Sequence, residues 1–203
     1  MLQKPIPLAD QRSAEILASA RLAFVEKGFD GASMQDVARR AGMSVGNFYR
    51  YFPSKAAIVE ALITRDMDEM EQDFAVILEQ PDPIAALREA IAQRIVQAHC
   101  NSDGQLWAEI DAAALRKPEI GKAAARMEEA IVDHLTTIFA RATNLPLATA
   151  KRQWTAHAYF LVMMVKACSL QSQALPTTKD VTQLVLRNIN LTLDEISLTA
   201  KKA

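Results

Sequence analysis

The sequence has few of the residues that stabilise secreted proteins, and it has no long apolar run. Its two cysteines, Cys100 and Cys168, lie far apart in 203 residues, and no secretory signal is recognisable, so a disulfide framework is not expected. No stretch is long and uncharged enough to cross a bilayer. Its six glycines form no glycine-rich phosphate loop, and neither β-alternation nor an internal repeat is visible. These absences indicate a cytoplasmic protein with no membrane segment.

Residues 33–55 contain two short helical patterns joined by a tight turn. In the first pattern Val37 and Ala38 fall on one side at helical spacing. Gly42 then supplies the left-handed or unhindered conformation that a sharp helix end needs. Ser44 is a good N-cap for the second pattern. Together these signals predict a helix-turn-helix, whose second helix enters the major groove of DNA.

The second helix is predicted to have a buried side and an outward side. Phe48 and Phe52 stand one turn apart and can be buried together. At about 100° per residue, the positions expected to face outward are Gly46 and Arg50, with Asn47 and Tyr49 on the flanks. Asn47 suits an adenine edge and Val45 a thymine methyl, while Gly46 lets the backbone approach the duplex.

Phosphate contacts are expected around the same helix. Ser44 and the open N–H groups at the helix start suit a phosphate, because a helix N-terminus combines free donors with a favourable dipole. Tyr49 and Arg50 can reach phosphate or base. After the break at Pro53, Lys55 is expected as a further phosphate ligand.

The segment GASMQDVARRAGMSVGNFYRYFPSKAAIVEAL resembles the DNA-binding signature of the tetracycline-repressor-like (TetR) family of bacterial transcription regulators. The resemblance covers about the first quarter of the chain. It implies base reading by Gln35, Val45, Gly46 and Asn47, and backbone contacts by Ser33, Ser44, Tyr49, Tyr51 and Lys55. Val45 replaces the Lys, Gln or Pro often found at its position, which leaves the operator sequence open.

The fold is predicted to be all-α, with two domains. By the same resemblance, residues 1–55 form a three-helix DNA-binding domain, and residues 56–203 form a helical ligand-binding and dimerisation domain. The first part carries eight Lys or Arg against five Asp or Glu, and the second carries fifteen against nineteen. The positive charge therefore lies where DNA is expected. Outside the helix-turn-helix, helices are predicted over residues 10–28, 54–80, 83–100, 105–116, 118–143, 147–171 and 177–198.

The last two predicted helices are expected to form a homodimer interface. Between residues 156 and 167 the first of them is apolar on nearly every side, so it must be buried on both faces. In a domain this small, one face is best explained by a second subunit, and Val162 is expected there. The TetR-like resemblance implies a four-helix dimer interface, and a palindromic operator also requires a two-fold pair. An ordinary monomer core is the alternative.

A small-molecule effector is expected in the second domain. Large and polarizable side chains on the middle helices suit a pocket for an apolar or aromatic molecule, with a histidine or Asp111 fixing its polar end. The predicted lining residues are His99, Trp107, Asp111, Met127, Trp154, His157, Phe160, Met163 and Met164. An ordinary helical core fits the same pattern, and the sequence leaves the identity of the effector open.

An enzyme and a protein-binding helical adaptor are the alternatives. His99 and Cys100 are adjacent on a predicted helix, so their side chains diverge and cannot form a nucleophile-base pair there. No two histidines have metal-ligand spacing and no CxxC occurs, so no metal or cofactor is predicted. An adaptor would not need Ser44, Tyr49 and Lys55 together. The favoured function is a DNA-binding regulator, a repressor released from a palindromic operator by its effector; activation and the number of dimers per operator stay open.

Overall fold

The computed structural model describes residues 8–100, 103–169 and 178–200. Within these ranges the chain forms nine α-helices and no strand, which confirms the predicted all-α class. The helices are α1 Leu8–Gly31, α2 Met34–Arg40, α3 Val45–Tyr51, α4 Lys55–Glu79, α5 Pro83–Cys100, α6 Asp103–Ala114, α7 Pro118–Thr143, α8 Leu147–Ser169 and α9 Thr178–Ala200. None of the helices in the described ranges is both long and apolar enough to span a membrane.

Proline and serine set several of these boundaries. Pro83 and Pro118 open α5 and α7 as predicted, because the first helical position needs no N–H donor and proline already has the required φ. Ser54 caps α4, since its hydroxyl oxygen accepts a hydrogen bond from the N–H of Ala57 at 3.1 Å.

Helix α1 bends at Gly28, the residue predicted to end it. Gly28 has φ 74° and ψ 161°, which is outside the helical region. Glycine adopts this positive φ readily because it has no Cβ. One further turn follows, so the segment extends to Gly31. We call residues 28–31 the α1 end.

One compact unit contains the N-terminal helices together with α6. It comprises the chain up to Asp66 and the segment Gln105–Ala124. Its buried side chains include Phe24, Phe48 and Ile58 from the N-terminal part. Leu106 and Ile110 of α6 are also fully buried. The unit is therefore discontinuous in sequence, whereas the predicted domain division at residue 55 is continuous.

The second compact unit is built mainly from α5, α8 and α9, which pack against one another. It comprises Met67–Gly104 and Ala125–Ala203. Its core includes Ile95 of α5, Leu161 of α8 and Leu193 of α9, each with at most 1% exposure. These side chains follow the apolar faces of long helices, as expected for a helical bundle.

Val162 belongs to this core and does not face outward. Its side chain is 8% exposed and packs with the buried cluster of its own chain. The expectation that Val162 lies at a subunit interface is therefore wrong. Because α8 is apolar on almost every side between residues 156 and 167, periodicity alone cannot tell which side faces inward.

Candidate nucleic-acid interface

Helix α2 begins with a capping box. The Ser33 hydroxyl oxygen accepts from the N–H of Asp36 at 3.1 Å, and the Asp36 carboxylate accepts from the N–H of Ser33 at 2.9 Å. Lys27 of α1 donates to the same carboxylate at 2.6 Å. The hydrogen bonds from Lys27 and then from Ser33 hold the pKa of Asp36 well below its usual value. Ser33 thus caps α2, a role that the Ser-x-x-Asp spacing signals and that the sequence reasoning missed.

The turn between α2 and α3 is a Schellman motif. Gly42 has φ 63°, which confirms the predicted left-handed residue. Its N–H donates to the carbonyl of Arg39 at 3.1 Å, and the N–H of Met43 donates to the carbonyl of Ala38 at 2.9 Å. These bonds satisfy carbonyls at the end of α2 and fix the direction in which the chain continues to α3.

Helix α3 is anchored by its aromatic residues. Phe48 is fully buried and Phe52 is 7% exposed, and their ring centroids lie 6.4 Å apart. Ser44 caps the helix by accepting from the N–H of Asn47 at 3.4 Å, as predicted. The buried side of α3 is therefore fixed, and its other residues are left on the surface.

Most of the residues predicted to contact DNA lie on the outward side of α3 or at its N-cap, whereas Ser33 and Gln35 lie at the start of α2. The exposed members of the predicted set are Ser33, Gln35, Ser44, Val45, Gly46, Asn47, Tyr49, Arg50 and Tyr51. Val45 and the two tyrosines have exposures between 38% and 46%, an uncommon amount of apolar surface for one short helix. A Cβ built on Gly46 would meet no atom within 4 Å, so the backbone is open to close approach there.

Lys55 is the one member of the predicted set that is half-buried. Its ammonium donates to the carbonyls of Phe29 at 2.8 Å and Asp30 at 3.1 Å, and it lies 4.8 Å from the centroid of the Phe29 ring. Burial, the largest effect, lowers the pKa of Lys55. Its phosphate contact stays a prediction, and its position beside the α1 end was not predicted.

Three residues missed by the sequence reasoning also contact the α1 end. Glu109 of α6 accepts from the N–H of Phe29 at 2.9 Å. Arg116 and Lys117, between α6 and α7, pair with Asp30 at 2.8 and 3.2 Å. The hydrogen bond from Arg116, and then that from Lys117, lowers the pKa of Asp30. No local pattern reports these contacts, because the partners lie 80 or more positions apart.

Two of the predicted ligand-lining residues carry buried polar atoms without a partner. Trp154 is 3% exposed, and its ring centroid lies 4.8 Å from that of His157. Among the described residues, neither the indole N–H of Trp154 nor Nδ1 of His157 has a hydrogen-bond partner. The other ring nitrogen of His157 lies 3.6 Å from a carboxylate oxygen of Glu195. Unsatisfied buried polar groups require a physical explanation.

The remaining predicted lining residues differ in exposure and in the compact unit to which they belong. Phe160 and Met163 are 45% and 63% exposed, and Met164 packs partly buried against the second unit's core. Met127 is half-buried in the second unit. Trp107 and Asp111 are half-buried in the first unit. The side chain of His99 lies outside the described residues.

Exposed apolar side chains form one row along α8 and another along α9, and we call the two rows together the outer seam. On α8 its members recur every three or four residues: Ala156, Phe160, Met163 and Ala167. On α9, Leu184, Leu191 and Leu198 recur every seven residues, with exposures of 56% to 57%. A repeat of three to four residues places each set on one side of its helix. The outer seam lies on the two helices predicted to dimerise.

Known proteins similar in sequence are transcription regulators. Residues 16–62 match the family model of bacterial regulatory proteins, tetR family. The HTH-type transcriptional regulator EthR of Mycolicibacterium smegmatis is 38% identical over 87 residues, which cover 42% of this chain and 40% of EthR. UidR of Escherichia coli K12, also an HTH-type regulator, is 30% identical over 116 residues, which cover 55% of this chain and 56% of UidR. The matched parts thus span between two fifths and just over half of these relatives.

Solved structures share the fold over most of the chain. Salmonella enterica GusR has a TM-score of 0.74 at 22% identity, covering 96% of this chain and 98% of GusR. AibR, solved in complex with isovaleryl coenzyme A and operator DNA, has a TM-score of 0.63 at 18% identity, covering 88% and 97%. The likeness extends beyond the N-terminal match to the helices that follow it.

Proposed function

We propose that this chain, which belongs to the tetR family of bacterial regulatory proteins, is a DNA-binding transcription regulator. Helix α3 enters the major groove, where Val45, Gly46 and Asn47 face bases together with Gln35 of α2. Arg50 reaches phosphate or base, and the residues that face the backbone are Ser33, Ser44, Tyr49, Tyr51 and Lys55. The observation that carries the proposal is the exposed side of α3, opposite the buried Phe48. Asn47 suits an adenine edge and Val45 a thymine methyl, since an amide can bond N6 and N7 while an apolar side chain can contact the methyl.

The regulator acts as a homodimer on a palindromic operator. The outer seam supports this proposal, because exposed apolar side chains in rows along helices are typical of a surface that another subunit covers. A two-fold dimer presents two α3 helices, and successive major grooves on one side of DNA repeat about every 34 to 36 Å. Such a regulator acts in the bacterial cytoplasm, which contains the DNA.

A small molecule that binds the second unit releases the operator. The Trp154 and His157 pair supports this part of the proposal, because a buried polar group without a partner costs about 1–3 kcal/mol. The indole N–H only donates, so the ligand needs an acceptor there. AibR, similar in fold, is solved with both an acyl coenzyme A and operator DNA. Repression released by a ligand follows if the ligand prefers the state that cannot bind DNA.

A selection of genomic DNA fragments by the purified protein tests the function. A palindromic consensus is expected, with affinity that falls steeply as salt rises, because phosphate contacts release counterions. Asn47→Ala should change the preferred sequence, since a good side-chain contact to a base is worth about 1–3 kcal/mol of discrimination.

Two further variants complete this test. Tyr49→Ala should weaken binding to all DNA sequences by the same factor, because a phosphate contact carries no sequence information. Gln72→Ala, at an exposed position of α4, is the control and should bind as the unmodified protein does. Recovery of no palindrome, or of fragments unrelated to one another, would favour the protein-binding adaptor instead.

A further inference from the structure

Both polar backbone groups of Phe29 are bonded to side chains from other helices. Glu109 of α6 accepts from its N–H at 2.9 Å. Lys55, at the start of α4, donates to its carbonyl at 2.8 Å. The Phe29 ring is 2% exposed and lies 5.3 Å from the ring of Phe24. One residue of the α1 end is therefore fixed by α1, α4 and α6 together.

The geometry of Gly28 explains why Glu109 is needed. At Gly28 the backbone leaves the helical conformation, so the N–H of Phe29 is not presented to a carbonyl one turn earlier. A buried N–H without a partner is costly, and the Glu109 carboxylate supplies that partner. A Cβ on Gly28 would lie 3.1 Å from a carboxylate oxygen of Glu109. The glycine thus provides both the bend and the space for the carboxylate.

The ion pairs that Asp30 forms with Arg116 and Lys117 are weaker than the bond to Glu109. Arg116 and Asp30 are 57% and 52% exposed, and exposed ion pairs contribute little because solvent screens them. The bond from Phe29 to Glu109 is part-buried and has an ionised acceptor, which makes it the stronger kind. Glu109 is therefore the main contact of α6 with the α1 end.

We infer that Glu109 is a positioning residue for DNA binding. Through this residue, α6 contributes to the affinity of the first unit for DNA. The inference rests on the proposed function of α3. The α1 end leads directly into Ser33 and α2, and α2 and its turn set the direction of α3. Loss of the Glu109 bond frees the Phe29 backbone, the acceptor of Lys55, and so loosens the start of α4 as well.

Operator affinity of three full-length variants tests this role. Glu109→Ala is expected to weaken operator binding at least fivefold. Glu109→Gln keeps an oxygen that can accept the bond and should recover most of the affinity. Glu119→Ala makes the same charge change at an exposed site of α7 in the same unit and should bind at least as well as the unmodified protein. Removal of a negative charge should by itself favour DNA, so weakening by Glu109→Ala cannot come from net charge.

Amide hydrogen exchange of the free protein provides a second readout, independent of DNA. The Phe29 N–H should exchange at least tenfold faster in Glu109→Ala than in the unmodified protein and in Glu109→Gln, whereas amides of α8 should not change. Unchanged exchange at Phe29 would overturn the inference. The inference would also be overturned if Glu109→Ala bound the operator with the affinity of the unmodified protein. If the unmodified protein binds no operator, the proposed function fails, and the exchange of Phe29 still decides whether Glu109 holds the α1 end.

Discussion

At the scale of single residues, Gly46 is expected to be required for DNA binding but not for folding. It lies within α3, where glycine is less favourable than alanine by roughly 0.5–1 kcal/mol. A Cβ there would meet no atom within 4 Å, so nothing in the protein requires glycine. Gly46→Ala is therefore expected to keep or slightly raise the thermal midpoint and to weaken operator binding at least tenfold. Thermal unfolding and fluorescence titration with operator DNA measure the two effects.

Gly42→Ala is the control for Gly46→Ala. It makes the same change of size, also with open space around the new Cβ. Its φ of 63° is the difference, because alanine in the left-handed region costs about 1–2 kcal/mol. Gly42→Ala should thus lower the thermal midpoint where Gly46→Ala does not. Operator binding by Gly46→Ala with unchanged affinity would mean that the backbone does not approach DNA at this position.

The residues predicted correctly and those missed differ in the range of their contacts. Gly42 and Ser44 were predicted because their conformation and capping bonds lie within a few residues. Lys55 was expected at phosphate, and its bonds to the α1 end are 25 and 26 positions away. Glu109 was not singled out at all, since its partner is 80 positions away. Local physical rules report caps and turns, whereas contacts of this range depend on the packing of whole helices.

At the scale of helices, the bounds of α5, α7 and α8 were predicted within two residues because prolines and the intervening breaks mark them. The inward and outward sides of α8 could not be assigned in the same way. Val162 was expected outside and is inside, while Phe160 and Met163 were expected to line a pocket and are exposed. An apolar helix buried on two sides has no polar stripe to mark either of them.

The outer seam leads to a prediction for α8. Met163→Glu is expected to raise the dimer dissociation constant at least a hundredfold, because an unpaired charge in a dry contact costs several kcal/mol. Met163 is 63% exposed in the single chain, so the substitution should leave the fold intact. Val76→Glu, at a site of α4 with 59% exposure outside the outer seam, is the control and should remain dimeric. Sedimentation equilibrium, with circular dichroism as a check of folding, distinguishes these outcomes; a dimer that survives Met163→Glu does not use the outer seam.

At the scale of the whole molecule, the proposed mechanism requires that operator and effector weaken each other's binding by the same factor. If the effector weakens operator binding by some factor, the operator weakens effector binding by that same factor. Couplings of about 1–3 kcal/mol correspond to factors of roughly 5 to 150. Titration of the effector with and without operator DNA should therefore give the same factor as titration of the operator with and without effector, and a factor of one in both titrations would show that the two ligands are not coupled.

Trp154→Phe tests whether the effector binds at the indole of Trp154. Among the residues that the structure describes, the indole N–H has no hydrogen-bond partner, so its removal breaks none of the described hydrogen bonds. A hydrogen bond to the ligand is worth about 0.5–1.5 kcal/mol, so compounds that release the operator should bind the variant roughly 2- to 12-fold more weakly. Operator affinity without effector should not change. A metabolite library screened for operator release supplies the compounds, and Gln72→Ala, at the exposed position of α4, is the control. Compounds that release DNA equally well from Trp154→Phe would place the effector away from this indole, and the unsatisfied N–H would then need another explanation, such as a buried water molecule.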